Sequence, residues 1–208
     1  MLRQIFTVLI TLAVAIGILG TSLLRASSVD YSFSDVLSVS NDVDIKRSVV
    51  DYDMPYPEDI LPDHPFWPVI AASDRVRTYL TFEAKDRVTF NQQLADRRLV
   101  ASKKLFEEGK PEEGFSTLTK AEKYLGKTLD LIKEAEKRGV EVDELLQIHA
   151  RAALKHQEEV GEIIQLAPED AKPEVTKVQN FSINAYKETR DALNERGLPV
   201  PENPFESE

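Results

Sequence analysis

The 208-residue chain contains no cysteine. That excludes a disulfide framework, a thiolate zinc site, a cysteine nucleophile and a lipoprotein anchor on an N-terminal cysteine, and it fits either redox compartment. Concentrated positive charge is also missing: 26 Lys and Arg stand against 36 Asp and Glu, for a net charge of -10, and no window gathers the basic residues together. Nucleic-acid phosphates need a basic face or stripe, so the composition argues against a nucleic-acid partner. The chain has no G-x-S-x-G elbow, no G-x-x-x-x-G-K loop followed by Ser or Thr, and no H-E-x-x-H helix. "EEGK" and "KRG" read as helix ends rather than phosphate cradles. An enzyme is not expected, and no cofactor is implied.

An apolar fraction of 42% is enough for a real core. The chain opens "MLRQIFTVLITLAVAIGILGTSLLRASS", where Ile5 to Leu24 carries no charge and spans about one bilayer core in helical rise. Residues 1–28 are therefore expected to be a transmembrane anchor, with Arg3 and the amino terminus cytoplasmic and the rest outside. A cleaved signal peptide, with Ala26 and Ser28 as its small-residue site, is the alternative and would give a secreted protein. Residues 29–61 read as an acidic, mostly extended tether. Between 29 and 63, nine acids face only Lys46 and Arg47, whereas 64–197 is nearly neutral and alternates in sign. Prolines 55, 57, 62, 65 and 68 stiffen the far end of the tether into a collar that carries the only Trp.

From the collar onward the breakpoints predict helices. Val69 to about Leu80 is the first, opened by Pro68. The second begins near Glu83, places Val88, Leu94, Ala95, Leu99, Ala101, Leu105 and Phe106 on one side, and stops at Gly109. Pro111 starts the third, with Glu112 and Glu113 in its first turn and Lys137 and Arg138 in its last, before Gly139. The fourth runs from about Asp143 to Leu166. The fifth takes Asp170 as its cap, holds Pro173 in its first turn, and ends at Arg196. Short connections between long helices imply antiparallel neighbours. The expected fold is all-α: an elongated antiparallel helical hairpin or bundle over 62–197, of about five helices, after the transmembrane helix and tether. The polar tail 198–208 is expected to be disordered.

Leu61, Pro62, Pro65, Trp67 and Pro68, then Arg77, Thr81 and Phe82, then Leu94, Ala95, Arg98 and Leu99, and then Gly109 and Lys110 form an ordered set of motifs. Lys155, His156, Pro168, Glu169, Ala171, Lys172 and Pro173 continue it. In this order the chain resembles a bacterial domain-of-unknown-function family of membrane-anchored, extracytoplasmic helical domains, over most of residues 54 to 193. The resemblance implies a helical fold outside the cytoplasmic membrane and no catalytic residues.

Phe66 and Trp67 arrive where the collar must dock, so they are expected to plug one end of the bundle, an exposed partner patch being the alternative. His149 and His156 lie seven residues apart in register with Val142 and Ile163, on one heptad stripe of the fourth helix. Core histidines satisfied by hydrogen bonds are the preferred reading, and a zinc site with a Glu from a neighbouring helix is the alternative. The Glu-x-x-His signature of di-metal bundles is absent, since Leu146 and Ala153 precede the two histidines. His64 reads as a turn residue. Glu107 with Glu108 and Glu158 with Glu159 read as solvated surface. Of Arg97 and Arg98, one is expected to pair across helices and the other to face water, with a grip on an anionic ligand as the alternative.

The expected function is a non-catalytic interaction or structural module of the cell envelope, held to the membrane by its N-terminal helix. Phe66, Trp67, Arg97, Arg98, Tyr124 and Tyr186 are the candidate contacts with an envelope protein partner, and the faces carrying Tyr124, Phe181 and Tyr186 are expected to leave an apolar patch. Two alternatives remain: an envelope metal-binding protein or enzyme built on His149 and His156, and a sensor component of an anti-sigma-like system. Oligomeric state stays open.

Overall fold

Gly109, Gly139 and Gly197 are the positive-φ residues among those described, at 73°, 80° and 66°. Each sits just past a helix end and closes it in the same way. At the first, the Gly109 amide donates to Phe106 O and the Lys110 amide to Leu105 O, the paired bonds of a Schellman motif. Gly139 with Val140 and Gly197 with Leu198 repeat the pattern on Glu136, Ala135, Asn194 and Leu193. A side chain at φ near +70° is strained, which is why glycine stands at these stops.

The structure is a computed structural model that describes residues 32–33, 48–57 and 59–206. It is all-α: α1 Trp67–Leu80, α2 Ala84–Glu107, α3 Pro111–Lys137, α4 Asp143–Leu166 and α5 Lys172–Glu195, with no strand among the described residues. Pro68 occupies the first turn of α1 as expected, although the helix opens at Trp67, two residues before the expected Val69. At α5 the N-cap is Ala171 rather than Asp170, because the Pro168 carbonyl already takes the Ala171 and Lys172 amides.

Helices α2 and α3 pack as one antiparallel pair and α4 and α5 as another. The pairs close through α2 with α4 and α3 with α5 into a four-helix bundle. Among the helices, α1 packs only on α2. All seven apolar residues expected on one side of α2 are buried, as are Val142, His149, His156 and Ile163 on the α4 stripe. Each fully buried Leu of this interior contributes about 2–3 kcal/mol. The stripe thus carries two imidazoles into the core at heptad spacing.

The expected membrane segment 1–28 and most of the tether lie outside the described residues. No helix among the described residues is long and apolar enough to cross a membrane. Three of the described tether residues lie against the bundle: Val50 joins the core cluster, Tyr52 packs on it, and Leu61 is buried with Ala101 and Leu105. The tail differs from the disordered segment its composition suggests. Leu198 and Val200 pack on the core, and the Tyr186 hydroxyl donates to Pro201 O at 2.7 Å.

Close approach of α2 and α3 depends on Gly114, where an added Cβ would lie 2.8 Å from the Phe106 ring. Gly126, on the same helix, has nothing within 4 Å of that position. In urea unfolding, Gly114→Ala is expected to lose about 1–3 kcal/mol through overpacking, whereas Gly126→Ala gains about 0.5–1 kcal/mol from helix propensity.

Candidate functional site

The bundle interior contains a chain of polar side chains that begins at Glu122 on α3. His156 of α4 donates from Nδ1 to Glu122 Oε1 at 2.7 Å and from Nε2 to Asp96 Oδ1 of α2 at 3.1 Å. Asp96 also accepts from Gln92 Nε2 at 2.7 Å and from the Tyr52 hydroxyl of the tether at 2.7 Å. Gln92 turns its Oε1 to His149 Nδ1, 2.9 Å away. Glu122 Oε2 and His149 Nε2 are buried without a hydrogen-bond partner among the described residues.

The two histidines titrate in opposite directions. For His156, burial pulls the pKa down, but the Glu122 and Asp96 carboxylates outweigh it and hold it up at about 9. For His149, burial dominates, aided by charged His156, and lowers it to about 3. The interior therefore holds one imidazolium between two carboxylates and one neutral imidazole on an amide. Burial and the Asp96 charge together raise the Tyr52 phenol.

A second polar group ties the tether to α4. The Val49 and Val50 amides donate to the Glu158 carboxylate at 2.8 and 3.3 Å, and Lys155 Nζ bridges Ser48 Oγ and Glu158. Glu159 pairs with Lys155 and with Lys103 of α2, both at 2.7 Å. Glu158 and Glu159 are thus not the solvated pair expected from their sequence. Burial acts to raise both carboxyls, but the Val49 amide and Lys155 on Glu158, and Lys103 and Lys155 on Glu159, prevail and lower them.

Helix α1 is joined to α2 by ion pairs and by guanidinium groups lying over aromatic rings. Asp74, its one buried residue, receives Arg97 Nη2 at 2.9 Å and Arg98 Nη2 at 3.4 Å. Both arginines therefore converge on one carboxylate, whereas only one was expected to pair. Buried Arg98 also lies over Tyr124 at 4.6 Å and over Trp67 at 5.8 Å. The opposite face of α1 is apolar and open to solvent: Val69, Val76, Tyr79 and Leu80 are exposed, with Phe66 and Phe82 at either end. Leu61, rather than Phe66 or Trp67, fills the bundle flank, since Phe66 is 65% exposed and Trp67 is half-buried.

Of the remaining expected contacts, Tyr124 is half-buried beneath Arg98 and Tyr186 is buried. Phe181 is exposed, but Tyr124 and Tyr186 are not, and the exposed apolar side chains gather on α1 and its two ends. His64 occupies a turn, its Nδ1 accepting from the Phe66 amide at 3.2 Å. No group of three or more His, Asp or Glu among the described residues is arranged to hold a metal ion. Both His156 ring nitrogens, either one of which could ligate a metal, are engaged by carboxylates. Glu122 and Asp74 were missed. Glu122 stands in register between Leu118 and Leu125, and an acid at such a core position is the sequence signal that points to it.

The model of a domain of unknown function (DUF5667) matches residues 59–195, about two thirds of the chain. The chain belongs to this family. The DUF5667 segment runs from the collar to the end of α5, so Ser48, Val50, Tyr52 and the docked tail lie beyond it and pack back onto it. No curated protein and no solved structure matches the chain.

Stability should depend on pH from both sides. Because His156 is raised in the native state, its contribution is complete below about pH 6.5 and is lost as pH rises through about 9, for about 3 kcal/mol at most. Because His149 is lowered, the unfolded chain takes up a proton that the native state refuses, and stability falls as pH drops below about 6.5. Urea unfolding from pH 5 to 10 is expected to peak near pH 6.5, and His156→Gln should flatten the alkaline limb. Separately, Asp74→Ala leaves buried Arg98 without its carboxylate. It should cost about 3 kcal/mol and open residues 59–82 to limited proteolysis.

Proposed function

We propose that this protein is a non-catalytic interaction module of the cell envelope, displaying α1 to an apolar, helical segment of an envelope protein partner. The observation that carries this reading is the orientation of α1. Its acidic residue Asp74 faces the bundle, while Val69, Val76, Tyr79 and Leu80, spaced at helical repeats on the side opposite Asp74, face solvent. A soluble amphipathic helix ordinarily does the reverse. Exposed apolar stripes flanked by polar residues serve as docking faces, and helical partners engage them at i, i+3 or i+4 and i+7 positions.

Residues 1–28 supply the membrane attachment in this reading, with the amino terminus cytoplasmic and the helical body outside. The uncharged run Ile5 to Leu24 supports an anchor, as does the resemblance of the collar and later motifs to membrane-anchored extracytoplasmic domains. The non-catalytic assignment is supported by the state of Asp96, which is already occupied by three donors, and of His156, which is held between two carboxylates.

The test places a photo-crosslinking residue at Val76 and separately at Phe181 in the full-length protein within its native envelope. The expected result is one discrete adduct from Val76, absent from Phe181, and abolished by Tyr79→Asp with unchanged melting. Adducts with lipid alone, or equal yields at both positions, would overturn the reading.

A further inference from the structure

The outward stripe of α1 is bordered by charge of one sign. Arg75 and Arg77 are the neighbours of Val76 in sequence, so they stand about 100° to either side of it, one along each edge of the stripe of Val69, Ala72, Val76, Tyr79 and Leu80. Both arginines are exposed, and neither makes an ion pair among the described residues. Arg77 lies over the Phe90 ring at 4.6 Å, a contact that leaves its charge unneutralised. The one acid of α1, Asp74, is on the opposite side and is taken up by Arg97 and Arg98. Of the acids outside α1, Glu83 and Asp86 follow Phe82, past the end of the stripe, and Asp53 lies with Arg77 in a cleft on the bundle side.

We infer that the segment received by α1 is an amphipathic helix whose apolar seam is flanked by Asp and Glu, an inference that rests on α1 being the docking face. Charge complementarity carries it, because this border is basic on a chain whose net charge is -10. In heptad register with Val69 and Val76 on the seam, Arg75 takes the position beside it where charged side chains select a partner. A second copy of α1 would set arginine against arginine, which repulsion disfavours.

The relief of the stripe suits a helix as well. Between Val69 and Val76 it holds only Ala72 and Ser73, both exposed, so a shallow notch is left for one large side chain of a facing helix. A lipid surface has no side chain to fill it.

The probes are two synthetic helical peptides that share one leucine seam, flanked by Glu in the first and by Lys in the second. Each is titrated into the full-length chain carrying the photo-crosslinking residue at Val76. The Glu peptide is expected to form the Val76 adduct and to bind about fivefold more tightly than the Lys peptide, with the preference shrinking as ionic strength rises. Arg75→Glu should reverse the preference with an unchanged melting temperature. Lys187→Glu, the same charge change on an exposed residue of α5, should leave it intact. Equal affinity for the two peptides, a preference that survives Arg75→Glu, or no adduct with either peptide would overturn the inference. In the native envelope, capture at Val76 of a protein segment lacking flanking acids overturns this inference alone, whereas capture of lipid or of the chain itself overturns the docking reading as well.

Discussion

Asp96 accepts hydrogen bonds from three donors, and two of them tie another part of the molecule to α2. His156 brings in α4, Gln92 orients the neighbouring imidazole, and the Tyr52 hydroxyl fastens the tether. Without the carboxylate, His156 would keep Glu122 alone, and the half-buried tether phenol would lose its carboxylate acceptor. A buried charge is tolerated only when its lone pairs are filled, and here two of the three donors come from other segments, α4 and the tether. Assembly of the bundle and attachment of the tether are therefore coupled through one side chain.

Helix α1 obeys a different balance. The bundle would be complete without it, since α2 to α5 bury the core among themselves. What holds α1 is a carboxylate between two guanidinium groups, Arg98 over the Trp67 ring and Arg77 over the Phe90 ring. Charge-assisted contacts of this kind fix orientation more than they add stability. They keep the apolar face of α1 turned outward, against the ordinary preference of such a helix.

Much of the architecture was legible because it depends on local chemistry. The three helix-stopping glycines, the first-turn prolines and the seven-residue spacing of Val142, His149, His156 and Ile163 each act over a few residues, and each appears in the structure as expected. The candidate site was legible only in part. His149 and His156 were placed inside, but their partners Glu122, Asp96 and Gln92 come from other helices, and sequence spacing is silent about which faces meet. Glu158 and Glu159 looked solvated because nothing in their own helix shows that tether amides and Lys103 will cover them. Trp67 and Phe66 looked like a plug because aromatic content predicts burial, whereas the paired charges of Asp74, Arg97 and Arg98 decide how α1 sits.

The contact of Ser48 to Val50 with Glu158 has a mechanical meaning. Among the described residues, tension arriving from the N-terminal side first meets the contacts of Phe33 with Glu112 and Phe115 of α3, and then these few hydrogen bonds. They would open one after another, then Val50 would leave the core, and the load would next fall on the Tyr52 phenol. The tether is thus arranged to peel rather than to shear, yielding length at low force while the four helices behind it remain folded.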